Sequence, residues 1–190
     1  MLDTAPLRDA YRALLDAAAV VGRLGRSVFS GSPTGPHPPP LPPSLAPAAR
    51  SSPIPPAGEW NADQVLAHVA IVTAATVAAA SSVAAGANTT YDNRVALDAW
   101  TIERLIARAG GNAGLRDRVR RQGESLCALG PALSEAELDT LVPTLLLSRD
   151  TVLVDQLVPL RELITGLAEV ELPTHTRQLL SLLPDGARPS

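Results

Sequence analysis

PLRELITGLAEVELPTHTRQLL, residues 159–180, reads first as one more amphipathic helix and then breaks its own pattern. Leu160, Leu163, Ile164 and Leu167 set an apolar stripe at helical spacing. Continued in steps of three and four, the stripe meets Glu171 and His175 before returning to Leu182. A carboxylate facing an apolar interior loses several kcal/mol of hydration, roughly, unless a partner compensates it. Residues four apart on a helix carry Cβ atoms about 5–6 Å from one another, so Glu171 and His175 have the spacing to share one small cation. Pro173 stands between them without an N–H for the carbonyl of Glu169, which predicts a kink whose effect on that spacing the sequence leaves open.

A partner for this pair is found earlier in the chain. NADQ, residues 61–64, has the form of a capping box and opens a helix whose inner face reads Val65, His68 or Val69, Val72, Thr76, Ala79 and Val83. His68 added to Glu171 and His175 gives two imidazoles and one carboxylate, the donor set of an open catalytic zinc site. The competing reading is a Glu171–His175 hydrogen bond on a helix surface, with His68 an interior histidine satisfied by a backbone carbonyl.

The remaining segments predict a helical protein. Thr4 and Pro6 start a first helix that runs through Leu7, Tyr11, Leu14, Leu15, Ala18, Val21 and Leu24 to about Ser27. Residues 31–58 hold eleven of the eighteen prolines, which excludes helix and central strand and predicts an extended connector. His37 lies within it, flanked by prolines, and receives no role. Asp92 or Asn93 is expected to cap a third helix through Trp100 and Ile106 to Gly110, and Asn112 a fourth through Leu115 to Leu129. The arginine-rich face of that fourth helix reads as solvated surface. Ser134 and Glu137 form a capping box for a short helix, and LVPTLLLSRDTVLVDQ, residues 141–156, suits a small hairpin or an extended crossover. The last helix follows Pro159, and residues 184–190 read as a mobile tail.

Composition narrows the function classes. A chain of 190 residues is most simply one domain, residues 1–190, and with 46% apolar but only 3% aromatic residues its core rests on Ala, Leu and Val. Sixteen basic residues against nineteen acidic ones supply no phosphate-binding stripe, so no nucleic-acid partner is expected. Cys127, the only cysteine, permits no internal disulfide and reads as packing, with a reducing cytoplasm the expected compartment. The first residues do not read as a signal peptide. Residues 65–85 carry no formal charge and are long enough to cross a bilayer, but they are mostly Ala, Ser and Thr, hold His68 and lack flanking anchors; a buried helix and no membrane partner are expected.

GEWNADQVLAHVA, residues 58–70, resembles the start of the second helix in the DinB-like superfamily, where a Trp and a small polar cap precede the first metal ligand. Residues 159–180 resemble that superfamily's last helix, which carries two more ligands four apart just before Gln-Leu. A Glu in the middle place is more similar to the mycothiol-dependent maleylpyruvate isomerase branch of actinobacteria. The resemblance spans residues 5–183 and implies an all-α, four-helix bundle holding one divalent metal, zinc or nickel, on His68, Glu171 and His175. It implies chemistry between a low-molecular-weight thiol such as mycothiol and a small electrophile, as an S-transferase or isomerase. Arg94 is the candidate for steering an anionic substrate. A homodimer is compatible with this reading. Two alternatives stand beside it: a hydrolase using the same ligands, and a non-catalytic bundle with the proline-rich segment as its recognition element.

Overall fold

The computed structural model describes residues 1–27, 60–148 and 151–184. The proline-rich stretch with His37, residues 149–150 and residues 185–190 lie outside the described residues. Among the described residues the chain is mainly helical, with a small three-stranded sheet.

Helix α1, Ala5–Ser27, buries Leu7, Tyr11, Leu14 and Ala18, the stripe its sequence predicts. The hydroxyl of Thr4 does not cap it but donates to the carbonyl of Cys127, while Asp3 Oδ1 accepts from the N–H of Ala5. Helix α2, Ala62–Ala84, opens on the expected capping box: Asn61 Oδ1 accepts from the N–H groups of Asp63 and Gln64, and Gln64 Oε1 accepts from the N–H of Asn61. It is apolar nearly all round because it runs through the middle of the protein, against α1 on one side and the later helices on the others. By length and composition α2 is able to cross a membrane; here 61% of its apolar window is buried against the rest of the chain.

Tyr91–Asp92 forms a two-residue strand, β1, before the single turn α3, Arg94–Leu97, and helix α4, Ala99–Ala109. The one helix expected over this stretch is therefore two. Asp98 adopts extended backbone, φ −76° and ψ 120°, and its carboxylate accepts from Thr101 N–H, capping α4 and ending α3. Helix α5 spans Asn112–Leu129, and its cap position is held by Gly111 at φ 86° rather than by Asn112. The side chain of Asn112 accepts from Arg116 Nε instead. Arg120 and Arg121 lie on the solvent side and pair with Asp117, as the surface reading of this helix anticipates. Cys127 is buried and unpaired, and burial raises its thiol pKa.

A short helix, α6, Glu135–Leu138, has its predicted capping box from Ser134 and Glu137. The hairpin then forms from β2, Leu141–Ser148, and β3, Thr151–Pro159, with Val142 opposite Val158 and Thr144 opposite Gln156. The third strand was not anticipated: β1 pairs parallel to β2, Tyr91 with Thr144. The Asn93 side chain prolongs that pairing, donating to Leu147 O at 2.9 Å and accepting from Leu147 N–H at 2.8 Å. The hairpin thereby holds the start of α3.

The last helix comes in three parts: α7, Leu160–Gly166, a π turn at Leu167–Glu171, and α8, Leu172–Ser181. The proline distortion takes the form of this π turn, in which Leu172 N–H reaches the carbonyl of Leu167 and one extra residue enters the helix. The extra residue rotates the stripe, so that Leu172, His175, Leu179 and Leu183 face inward while Leu182, the expected end of the stripe, is exposed. α1, α2, α5 and α8 share one core, in which Leu14, Leu66, Leu126 and Leu179 are fully buried. Each such leucine contributes roughly 1.5–3 kcal/mol by leaving water.

Candidate metal centre

The structure brings together the three residues singled out in the sequence. Glu171 Oε1 lies 2.8 Å from His68 Nε2 and 3.2 Å from His175 Nε2. One donor atom from each residue falls within 4.8 Å of the others. The two imidazole rings are tilted, with centroids 4.7 Å apart, and the Trp60 ring packs against His68 with centroids 4.9 Å apart. The side chains of His68 and His175 are 5% and 11% exposed and that of Glu171 is 33% exposed, so the cluster is covered on the imidazole side and reached past the carboxylate.

The outer nitrogens show how the rings are held. His68 Nδ1 is 2.8 Å from the carbonyl oxygen of Ala96, in α3. A carbonyl only accepts, so Nδ1 carries the hydrogen and Nε2 is the nitrogen turned toward Glu171. That Nε2 faces a carboxylate, which is also an acceptor. Two acceptors on one ring require a second proton on the imidazole or a cation between Nε2 and Oε1. His175 repeats the arrangement with Gln178 Oε1, 2.9 Å from its Nδ1 and one helical turn along α8. An imidazole whose outer N–H is fixed by an oxygen, with its inner nitrogen toward a carboxylate, is how metal-ligating histidines are oriented. Burial works to raise the pKa of Glu171, but hydrogen bonds from His175 and His68 and their charge outweigh it and hold the carboxyl well below the usual range. The donor set therefore fits a divalent cation preferring nitrogen and oxygen.

Both readings of the sequence find part of their geometry here: His68 has its backbone carbonyl, and it also meets Glu171. Arg94 is elsewhere. Its side chain is 66% exposed and its guanidinium closes on Asp92, with Nε 2.7 Å from Oδ2. It lines an open concavity of about 450 Å³ on the sheet with Tyr91, Thr144 and Asp155.

Three contributors escaped the sequence reading. Gln178 was legible in principle, three residues after His175 on the same helical face. Ala96 acts through its backbone, which no side-chain pattern reveals. Tyr91, buried and bonded to Thr76 at 3.3 Å, has its phenol pKa raised by burial and, to a lesser degree, by the charge of Glu171. Compared with family models, with curated proteins and with solved structures, the chain has no match in any of the three.

Proposed function

We propose that the protein is a metal-dependent enzyme that uses a low-molecular-weight thiol, as an S-transferase or isomerase acting on a small electrophile. The observation that carries this reading is the convergence of His68, Glu171 and His175, with the Nδ1 atoms of both histidines occupied by oxygens and both Nε2 atoms directed at one carboxylate oxygen. His68, Glu171 and His175 would hold zinc or nickel, leaving coordination positions for a further ligand. The ion would supply Lewis acidity, making a thiol or water nucleophilic near neutral pH.

The protein's own groups have definite tasks in this scheme. Ala96 and Gln178 keep the imidazole lone pairs turned inward, Glu171 supplies the negative charge, and Trp60 excludes water from one side of His68. Attack of a thiolate sulfur on a carbon bearing a leaving group forms a C–S bond as the leaving group departs with its electron pair. Addition to a conjugated double bond, rotation and expulsion of the same thiolate gives cis–trans isomerisation. The four-helix arrangement of the DinB-like superfamily belongs to the same proposal. It is supported by the mutual packing of α1, α2, α5 and α8, and by donors arising from α2 and the last helix in the order the resemblance implies.

Metal analysis tests the proposal. Purified protein is expected to hold about one equivalent of zinc or nickel, as one three-residue site requires, with the ion lost in His68→Ala and Glu171→Ala. Folded wild-type protein without affinity for either ion overturns it. Turnover of an electrophile with and without added thiol then separates thiol transfer from hydrolysis by the same residues.

A further inference from the structure

The carbonyl that orients His68 is available only because a helix is interrupted. In a continuous helix through residues 94–109, the carbonyl of Ala96 would accept from the N–H of Trp100. Nothing in VALDAWTIERL, residues 95–105, forbids such a helix: it contains neither Gly nor Pro, and its residues are ordinary helix formers. The interruption lies at Asp98, where ψ is 120°. The Asp98 carboxylate accepts from Thr101 N–H at 2.8 Å and Thr101 Oγ1–H at 2.6 Å. Both bonds require Asp98 to stand outside α4 as its cap. α3 therefore ends at Leu97, and the carbonyl of Ala96 meets His68 Nδ1 at 2.8 Å.

We propose that Asp98 is a positioning residue for His68: its cap on α4 breaks the helix so that the Ala96 carbonyl serves the imidazole instead of the helical ladder. Asp98 is exposed and no contact joins it to the three-residue cluster, so it acts through the backbone between residues 96 and 98. The side chain supplying the break is polar and replaceable, whereas the group it presents is main chain. A sequence change at residue 98 thus reaches the site without altering any residue that touches it. The effect on His68 stands by itself; its consequence for metal binding rests on the function proposed above.

The test uses the full chain in four forms: wild type, Asp98→Ala, Asp98→Asn, and Asp98→Ala combined with Ala99→Pro. Proline at residue 99 occupies the first position of α4, and its ring disfavours helical backbone at residue 98, so it restores the break without the carboxylate. Ala99 is exposed, which leaves the core untouched. The readouts are the His68 Nδ1–H resonance in long-range ¹H–¹⁵N spectra of metal-free protein and the Kd for zinc. Asp98→Ala is expected to lose the protected Nδ1–H signal and to bind zinc about tenfold to a hundredfold more weakly, the usual consequence of losing an outer-shell partner. Asp98→Asn and the proline double variant are expected to retain both. If Asp98→Ala keeps the wild-type signal and Kd, the proposal is overturned. Should Asp98→Ala fail to fold, the double variant decides, since a folded double variant without the Nδ1–H signal also overturns it. Absence of zinc binding in wild type would remove the proposed function while the metal-free spectra still judge Asp98.

Discussion

His68 Nδ1 stands 2.8 Å from the carbonyl oxygen of Ala96, and this single bond decides which nitrogen of the ring points at Glu171. With Nδ1 committed as a donor, Nε2 and the carboxylate oxygen face one another across a distance that two lone pairs do not tolerate without a proton or a cation between them. Zinc and protons therefore compete for the same place. Metal ligands must be deprotonated, so zinc binding is expected to be accompanied by proton release and to weaken as the pH falls. Calorimetric titrations in two buffers of different ionisation enthalpy measure the release, and a binding heat independent of buffer would contradict the geometry.

Trp60 offers an optical view of the same event. Its indole ring packs on His68 at 4.9 Å, whereas Trp100 is 65% exposed with the guanidinium of Arg104 over its ring. A change of charge on the imidazole alters the emission of an indole in contact with it. Zinc titration is expected to change the fluorescence of wild type and of Trp100→Phe with the calorimetric midpoint, and to leave the emission of Trp60→Phe unchanged. A response that follows Trp100 instead would separate the binding event from His68.

The parts of the fold that follow from periodicity were legible. The apolar stripes of α1, α2 and α5 and the capping box of α2 are in plain view, whereas Thr4 and Asn112 do not cap their helices; the meeting of His68 with Glu171 and His175 followed from two polar interruptions of apolar faces. What stayed hidden depends on backbone detail. The break at Asp98 sits in a stretch without Gly or Pro, where an Asp-x-x-Thr cap competes with continuation of the helix and periodicity does not say which prevails. The parallel pairing of β1 with β2 joins residues more than fifty positions apart, as with Tyr91 and Thr144, and two residues leave no alternation to read. The π turn was signalled only by Pro173. Its effect on the stripe, exposing Leu182 and burying Leu183, depends on which side chains the core holds on either flank.

The surface network around α6 gives a dependence on pH whose sign is fixed by its carboxylate. Hydrogen bonds from the amino group of Met1 and then from Arg161 hold the carboxyl of Glu135 down to about 2. A carboxyl lowered in the folded state adds stability that is fully present above its ordinary value of 4.5 and fades as the pH falls toward 2. The difference in melting temperature between wild type and Glu135→Gln is therefore expected to be largest above about pH 5 and to shrink through this window. High salt should reduce it, since these groups are exposed. A difference that grows on acidification would mean that the ion pairs are not what Glu135 contributes.

Gly123 sets two opposing effects against each other. It lies in the middle of α5, where alanine would favour the helix by about 0.8–1.0 kcal/mol. A Cβ at this position, however, would stand 2.9 Å from Cγ and Cδ2 of Tyr11 in α1. The ring has little freedom to retreat, because its hydroxyl is bonded to the buried Thr73 at 2.9 Å. Overpacking in a filled core costs about 1–3 kcal/mol, and moving the ring would also strain that hydrogen bond, worth about 0.5–1.5 kcal/mol. The clash outweighs the propensity gain, so Gly123→Ala is expected to destabilise the protein by about 1–2 kcal/mol in urea unfolding. Adding Tyr11→Leu should relieve the clash while leaving Thr73 without its partner, recovering only part of the loss. A Gly123→Ala variant more stable than wild type would show that α1 and α5 approach less closely than the contact with Tyr11 requires.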